Sequence, residues 1–227
     1  MDTWTEVARA ETAAGDAIVL RRRGDVFDIR FNGWELMSSR NAVSEMALAR
    51  IVCEHVHSAA PRILIGGLGM GFTLRAALDA VGIGSSVIVC ELLKEIVAWN
   101  EGALGPLAGQ PLKDERVTVI AQDVMGVLDE SEESFDAMLF DTDNGPDNVI
   151  RPPNEILYTE EGLARISRAL SPGGVAGFWS ASESRDFEHA LDGADWSWRR
   201  VRIFLRSPNQ EPFHVIYLAG QPLMEKL

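Results

Sequence analysis

Residues 63–72 read ILIGGLGMGF, an apolar run that leads directly into glycines at alternate positions. An apolar run of this length bounded by glycines is typical of a buried strand, and the segment after it predicts a helix. Gly67, Gly69 and Gly71 therefore occupy a strand-to-helix turn, where glycine permits positive φ and lets a ligand approach the bare main chain. The N–H groups at the start of the helix favour an anionic group. The alternative interpretation is a tight turn that binds nothing.

The chain downstream repeats this alternation of strand and helix. Its strands are apolar throughout, which is typical of a parallel sheet covered by helices on both faces. The last two strands are joined by a turn too short for a crossover helix, so we expect them to pair antiparallel at the sheet edge. The sequence therefore predicts an α/β fold, one Rossmann-like sandwich whose seven-stranded, mostly parallel sheet ends in an antiparallel hairpin. The predicted strands are Arg62–Ile65, Val87–Cys90, Arg116–Ile120, Phe135–Phe140, Gly174–Trp179, Trp196–Leu205 and Phe213–Ala219.

A small β-hairpin is predicted before this core. Ala17–Arg22 and Asp25–Phe31 are rich in β-forming residues, and Gly24 lies near the turn between them. A helical pattern follows over Val43–His57. We therefore divide the chain into an N-terminal hairpin extension, residues 1–42, and a Rossmann-like catalytic domain, residues 43–227.

The charge and the cysteine content of the chain indicate which binding partners and which cellular compartment to expect. The chain has 21 Lys and Arg against 34 Asp and Glu, a formal net charge of −13. Phosphate backbones and anionic membrane surfaces repel such a chain, so we expect neither nucleic acid nor membrane as a partner. The N-terminus lacks the basic start and long apolar core of a signal peptide. Cys53 and Cys90 have no CxxC spacing, so we expect buried free thiols and a cytoplasmic protein.

Two acids follow successive strands of the predicted sheet. Glu91 ends the second strand, where its carboxylate can accept both hydroxyl hydrogens of a ribose; otherwise it is a solvated acid that caps the next helix. Asp123 follows the third strand, where it can receive the amine of adenine while the Val124 N–H meets a ring nitrogen; otherwise it is a helix N-cap. Phe72 stands where GxGxxG needs its third glycine, which favours a nucleoside with an amino-acid tail over NAD.

The fourth strand ends at Asp141, which opens the polar loop DTDNGPDN. Asp141, Asp143 and Asn144 are the predicted catalytic residues, because their side chains can hold an attacking amine or hydroxyl and accept its proton. Their oxygens also suit a divalent cation, but Gly145 falls one position early for a calcium loop, so we predict no metal. A plain surface turn is the remaining interpretation.

Two aromatic residues complete the predicted substrate site with Asn144. Tyr158 follows a long connection and either roofs the cleft or packs at the start of a helix. Trp179 ends the fifth strand and either lines the substrate pocket or belongs to the core. No Gly-x-Ser-x-Gly elbow occurs, so a serine hydrolase is not supported.

Several motifs in series carry a family resemblance that runs from about Asn32 to Trp179. GGLGMG, VCE, the pair Gln122 and Asp123, FDAMLFDTDNGP, LYTEEGL and ALSPGGV resemble the class I S-adenosylmethionine (SAM) methyltransferase fold, and more narrowly its spermidine-synthase-like branch. The resemblance implies that Asp141 matches the aspartate that accepts the amine proton in aminopropyl transfer. Together with the residues above, it implies a SAM site formed by Gly66, Gly67, Gly69, Gly71, Glu91, Leu92, Asp123, Val124 and Asp141.

The sequence also departs from the family pattern. The family's GGGDGG loop carries an aspartate that binds the amine of decarboxylated SAM, and Gly69 stands in its place. Leu36 replaces the usual glutamine, the loop after Asp141 is one residue longer, and the N-terminal β domain is expected to be a single hairpin. An acid at position 69 would repel the carboxylate of intact SAM, whereas glycine offers N–H groups. The departures therefore favour SAM over its decarboxylated form.

These features together predict a SAM-dependent transferase that methylates an amine or hydroxyl of a small molecule, with a cationic amine as one candidate. The alternative is spermidine-synthase-like attack on the γ-carbon of SAM, with release of methylthioadenosine. Aminopropyl transfer, aminocarboxypropyl transfer and cyclisation to an azetidine amino acid all belong to this alternative. A second alternative is a non-catalytic SAM-binding protein. A homodimer is expected only by analogy with the fold.

Overall fold

A computed structural model describes residues 3–12, 15–142, 144–149, 152–194, 196–206 and 211–220. These residues form two β-sheets and six α-helices. The strands are β1 (Thr5–Glu11), β2 (Ala17–Arg23), β3 (Val26–Phe31), β4 (Trp34–Ser38), β5 (Arg62–Gly66), β6 (Ser86–Cys90), β7 (Val117–Ile120), β8 (Phe135–Phe140), β9 (Leu170–Ser180), β10 (Ser197–Phe204) and β11 (Phe213–Gly220). The helices are α1 (Val43–Cys53), α2 (Phe72–Ala80), α3 (Lys94–Glu101), α4 (Val124–Asp129), α5 (Glu160–Ala169) and α6 (Arg185–Gly193). Short 3-10 helices span Gly105–Ala108, Pro111–Lys113, Pro146–Asn148 and Pro152–Tyr158.

The larger sheet has the predicted strands and topology. Its order is β10-β11-β9-β8-β5-β6-β7. Strands β5 to β9 pair in parallel, whereas β11 pairs antiparallel with both β9 and β10. The predicted α/β fold with an antiparallel C-terminal hairpin is confirmed. The strand order reverses between the neighbours β5 and β8, and a crevice at the carboxyl ends of such strands is where open α/β sheets bind ligands.

Strand β5 shows why the central strands are apolar at every position. Ile63, Leu64 and Ile65 are all fully buried. Ile63 and Ile65 belong to the hydrophobic cluster that includes α1 and α2, and Leu64 belongs to the cluster that includes α4 and α5. Successive side chains of a strand point to opposite faces. A strand covered on both sides therefore needs an apolar residue at each position.

The N-terminal segment forms a four-stranded antiparallel sheet in the order β1-β2-β3-β4. The predicted hairpin is present as β2 and β3. The expectation that it stands alone is wrong, because β1 and β4 pair with its two edges. Strand β1 is largely exposed, and Trp34 in β4 keeps 75% of its surface accessible. Ala8, Leu36 and Met37 of these outer strands pack against the core, but the strands otherwise depend on main-chain hydrogen bonds and show no apolar periodicity in the sequence. The division of the chain at residue 42 stays a prediction.

Helix α1 packs closely on β9 of the large sheet. Leu48 and Val52 lie on its buried face. A Cβ built on Gly177 of β9 would lie 2.3 Å from Val52 Cγ2 and 2.8 Å from Leu48 Cδ1. Glycine at position 177 therefore allows the helix to approach the sheet more closely than any other residue would.

Both cysteines are free and buried, as the sequence predicts. Burial raises the pKa of Cys53 to about 11 and is the main reason why the pKa of Cys90 is about 12. Both groups are therefore neutral thiols at physiological pH. Among the helices of the described ranges, none has the length and apolar content needed to cross a bilayer.

We expect Gly177→Ala to lower the free energy of unfolding by about 2 kcal/mol, because the added methyl group overpacks the contact between α1 and β9. Thermal denaturation measures the loss. Gly82→Ala is the matched control, since a Cβ at Gly82 has no neighbour within 4 Å. Equal melting temperatures for the two variants would contradict the close helix–sheet approach.

Candidate functional site

The glycine turn after β5 lies directly against the end of β8. Gly67 has a φ of +89°, and a Cβ at this position would lie 2.2 Å from the carbonyl oxygen of Asp141. The Gly67 N–H donates to the carbonyl of Cys90 at 2.8 Å, and the Asp141 N–H donates to the carbonyl of Gly66 at 2.9 Å. Since only glycine permits this approach, the turn ties the ends of β5, β6 and β8 together.

Glu91 holds the same turn from the end of β6. The residue is 6% exposed, so it is not the solvated acid of the alternative interpretation. Its Oε2 accepts the N–H of Leu68 at 3.0 Å, and its Oε1 accepts the N–H of Leu93 at 2.9 Å. A carboxylate oxygen can accept more than one hydrogen bond. The predicted contact with a ribose is therefore compatible with this structural role.

Asp123 caps helix α4 and lines a small recess. Its Oδ1 accepts the N–H of Met125 at 2.9 Å, which is the N-cap role that the sequence offers as one interpretation. The recess has a volume of about 50 Å³. The structure thus brings most of the residues expected around an adenosine to one place, and their ligand contacts stay a prediction. The predicted residues that line the recess are Gly67, Glu91, Leu92, Asp123 and Val124.

A larger cavity of about 580 Å³ adjoins this recess, because Gly67 and Glu91 line both spaces. Small-molecule sites in proteins occupy roughly 300–1,000 Å³. The predicted site residues that line the cavity are Gly67, Gly69, Glu91, Asp141, Asn144 and Trp179. Residues that sequence reasoning missed also line it, namely Glu35, Met37, Arg40, Asn41, Glu45 and His214.

Asp141 faces this cavity from the end of β8. Thr73, in the first turn of α2, donates a hydrogen bond from Oγ1 to Asp141 Oδ2 at 2.5 Å. Although Asp141 keeps some surface open to the cavity, the surrounding protein withdraws its carboxyl from bulk water. This burial and, secondly, the charge of Glu45 raise the pKa of Asp141 to about 7, against the lowering effect of the Thr73 hydrogen bond. Such a carboxyl can accept a proton near neutral pH.

Glu45 is a second acid at this cavity and comes from helix α1. The residue is 7% exposed, and burial raises its pKa. The Ser44 hydroxyl donates to Glu45 Oε2 at 2.6 Å and lies 2.8 Å from Nδ1 of His214. One signal in the sequence marks Glu45: it shares a helix face with Leu48 and Val52, which makes it an acid within an otherwise apolar stripe.

Met37 covers the glycine that stands in place of the family's aspartate. A Cβ at Gly69 would lie 2.7 Å from Met37 Cε and 2.8 Å from its Sδ. Leu36, at the position of the family's usual glutamine, lines the same cavity. The two departures noted in the sequence are therefore neighbours in the structure. An aspartate at position 69 would require Met37 to move.

Trp179 lies both in the core and at the cavity wall. It is 8% exposed and belongs to the hydrophobic cluster that includes α1, and it also lines the larger cavity. Its ring packs edge-on against His214, with ring centroids 4.7 Å apart. These two residues form an aromatic wall, and a substrate contact by Trp179 stays a prediction.

Among the described residues of the predicted site, Tyr158, Gly66 and Gly71 line neither space. Tyr158 lies in the core, where its ring packs edge-on against Phe187 at 5.3 Å. The structure therefore gives Tyr158 the packing role and not that of a roof over the cleft. Gly66 and Gly71 shape the turn, since Gly66 ends β5 and Gly71 precedes α2 with a φ of +81°. Asp143 lies outside the described residues.

Comparison with known proteins identifies the family. Residues 42–190 match the family model described as the spermine/spermidine synthase domain. The chain belongs to the spermine/spermidine synthase family. A polyamine aminopropyltransferase from Ruegeria sp. (strain TM1040) is 28% identical over 119 residues, which cover 52% of this chain and 40% of that protein. The matched segment therefore spans less than half of this relative.

Two solved spermidine synthase structures share the fold. One, in complex with the transition state analogue AdoDATO, has a TM-score of 0.73 and 17% identity, over 95% of this chain and 72% of the other. The spermidine synthase from Thermotoga maritima has a TM-score of 0.72 and 16% identity, over 94% of this chain and 72% of the other. The resemblance stated from the sequence motifs is confirmed.

We expect Asp141→Asn to raise the melting temperature at pH 8 by several degrees, because it removes a charge that is withdrawn from water. The pKa of this carboxyl rises from an ordinary 3.8 to about 7 on folding, so the folded chain binds the proton more tightly than the unfolded chain. The free energy of unfolding therefore falls as the pH rises through this window. The advantage of the variant should shrink when the melts are repeated near pH 4.

Asp25→Asn is the matched control for this stability measurement, since the Asp25 side chain is fully exposed. Its melting temperature should stay close to that of the wild type at both pH values. An Asp141→Asn variant that melts no higher than the wild type at pH 8 would contradict the burial of an ionised carboxylate at this site.

Proposed function

We propose that this protein transfers an alkyl chain from an adenosyl sulfonium to an amine by attack at the γ-carbon, with release of methylthioadenosine. The observation that carries the proposal is the position of Asp141. Its carboxyl, with a pKa raised to about 7, faces the same cavity as Gly67, Gly69 and Glu91. A proton acceptor thus lies beside a glycine turn and an acid suited to an adenosyl group. Membership of the spermine/spermidine synthase family supports this reaction class.

The acidic lining of the cavity supports a cationic acceptor. Glu35, Glu45 and Asp141 are among the residues that line it, and carboxylates attract an ammonium group. A bound adenosyl sulfonium supplies an electrophilic carbon and a thioether leaving group. Asp141 orients the acceptor nitrogen and takes its proton. The remaining contribution of the chain is to align that nitrogen with the carbon it attacks.

Residues at the tail end of the cavity support intact SAM as the donor. Because residue 69 is glycine, it offers no carboxylate to the amine of a decarboxylated donor. Met37 occupies the space beside it that an acidic side chain would need. Arg40 lines the same cavity and carries a positive charge that can pair with the carboxylate of intact SAM. The proposed reaction is therefore aminocarboxypropyl transfer or its intramolecular counterpart.

Methyl transfer from the same donor is the second candidate. Intact SAM presents its methyl carbon as well as its γ-carbon, and the substitution at Gly69 favours intact SAM. The sequence motifs alone favour methylation, whereas the family match supports γ-carbon attack better. A purely SAM-binding protein is the weakest candidate, because binding alone does not require Asp141 and Glu45 to lie together at a cost in stability.

Mass spectrometry of the nucleoside formed from the donor tests the reaction class. With intact SAM and a panel of primary amines, we expect methylthioadenosine, and about tenfold less product from decarboxylated SAM because it lacks the charge that Arg40 recognises. A reaction without added amine detects cyclisation. S-adenosylhomocysteine as the product would instead establish methyl transfer, and a preference for decarboxylated SAM would contradict the proposed donor.

Asp141→Asn should lower kcat by about 100-fold or more, because the variant cannot take the proton of the acceptor. Calorimetry should show nearly unchanged affinity for SAM, since the amide keeps the shape of the side chain. Asp25→Asn again serves as the control and should retain wild-type turnover. If Asp141→Asn keeps wild-type turnover, Asp141 is not the proton acceptor.

A further inference from the structure

Helix α1 and strand β11 bring three polar side chains together beside the cavity. Ser44 and Glu45 are neighbours in the first turn of α1, and His214 lies on β11. Ser44 is fully buried and Glu45 is 7% exposed. An acid buried to this extent is costly unless it is hydrogen-bonded. The packing of α1 alone does not require it, because an apolar residue would fill the same face.

The Ser44 hydroxyl links the other two groups. It has one hydrogen, which it donates to Glu45 Oε2 at 2.6 Å. When Glu45 is ionised and His214 carries its hydrogen on Nδ1, the Ser44 oxygen accepts that hydrogen across 2.8 Å. The chain of donors runs from His214 through Ser44 to Glu45. It supports the ionised form of Glu45, because each donor points toward the carboxylate.

Glu45 and Asp141 line the same cavity and interact through their charges. The charge of Glu45 contributes to the raised pKa of Asp141, after burial. The Asp141 carboxyl accepts a hydrogen bond from the hydroxyl of Thr73, which lies in helix α2. Two acids that interact in this way titrate as a pair and not independently. Within the described ranges, the other charged residues that line the cavity are Glu35, Arg40 and Glu91.

We propose that Glu45 and Asp141 form a carboxylate pair that shares one proton at neutral pH, with Ser44 and His214 as positioning residues for Glu45. This inference rests on the proposed transferase function. The bound ammonium group first gives one proton to Asp141 while the shared proton rests on Glu45, and this frees the lone pair of the nitrogen. The nitrogen then forms its bond to the γ-carbon, and the carbon–sulfur bond breaks with its electron pair leaving on sulfur. Both carboxyls are then protonated until one proton leaves to solvent.

A shared proton changes what the site binds. A pair that holds one proton carries a single negative charge, which matches a monocation. One carboxyl of the pair stays ionised while the other holds the proton. The site therefore binds the acceptor as an ammonium ion and still has an oxygen that can take its proton.

Carboxyl ¹³C NMR of the whole chain, labelled at Asp and Glu, tests the pair without any need for turnover. The signal that Asp141→Asn removes should titrate in the wild type with a midpoint of about 7. In Glu45→Gln this midpoint should fall by about one pH unit or more, because a neighbouring negative charge is removed. Glu54→Gln, which removes an exposed charge at the end of the same helix, should leave the midpoint unchanged.

Kinetics provide the second measurement. The acidic limb of kcat against pH reports the second proton that the pair takes up, so in the wild type it should lie below the NMR midpoint. In Glu45→Gln only one carboxyl titrates, so the limb and the midpoint should coincide, while kcat on the plateau falls about tenfold. Ser44→Ala should also bring the limb and the midpoint closer together, since Glu45 then loses the donor that favours its charge. A purely structural role for Glu45 or Ser44 would lower activity without changing the interval between the limb and the midpoint.

The outcomes separate the two proposals. An Asp141 midpoint that stays in place in a folded Glu45→Gln variant overturns the pair, whether or not the protein is a transferase. A midpoint that moves, in a protein that converts no donor with any amine, supports the pair and overturns the proposed function. Ser44→Ala provides the same test if Glu45→Gln does not fold.

Discussion

The contact between the Gly67 main chain and the Asp141 carbonyl governs the rest of the site. A Cβ at Gly67 would lie 2.2 Å from that oxygen, so the turn after β5 can cross the end of β8 only as glycine. Main-chain hydrogen bonds from Gly67 to Cys90 and from Asp141 to Gly66 join the ends of three neighbouring strands. The recess and the larger cavity both border this crossing. A single steric constraint therefore places the expected nucleoside site beside the acid that we propose as the proton acceptor.

The acids around the cavity differ in the donors that the fold supplies to them. Glu91 accepts hydrogen bonds from two main-chain N–H groups and so stabilises the glycine turn. Asp141 accepts a hydrogen bond from the Thr73 hydroxyl, and Glu45 accepts one from the Ser44 hydroxyl. Because burial outweighs these hydroxyl donors, the pKa values of Asp141 and Glu45 both rise. The same fold thus makes one acid structural and two acids able to exchange protons.

The residues that depart from the family pattern lie close to one another in the structure. Gly69 and Met37 are far apart in the sequence but in contact, and Leu36 lines the same wall. Strand β4, which carries Leu36 and Met37, is part of an N-terminal sheet of four strands. This sheet therefore contributes residues to the wall of the cavity. Its outer strands lack an apolar periodicity, which is why the sequence predicts only the central hairpin.

The sequence by itself determined the alternation of strands and helices, the antiparallel end of the sheet, the glycine turn and the acids at the strand ends. These features are local, since apolar runs and glycine spacing act over a few residues. Only the tertiary structure decided that Glu45 and His214 join Asp141, and that Tyr158 belongs to the core. Helix α1 and strand β11 are far apart in the chain and meet because α1 packs on the face of the large sheet that β9 and β11 help to form. The protonation of a buried carboxyl depends on such remote neighbours, and no local pattern records them.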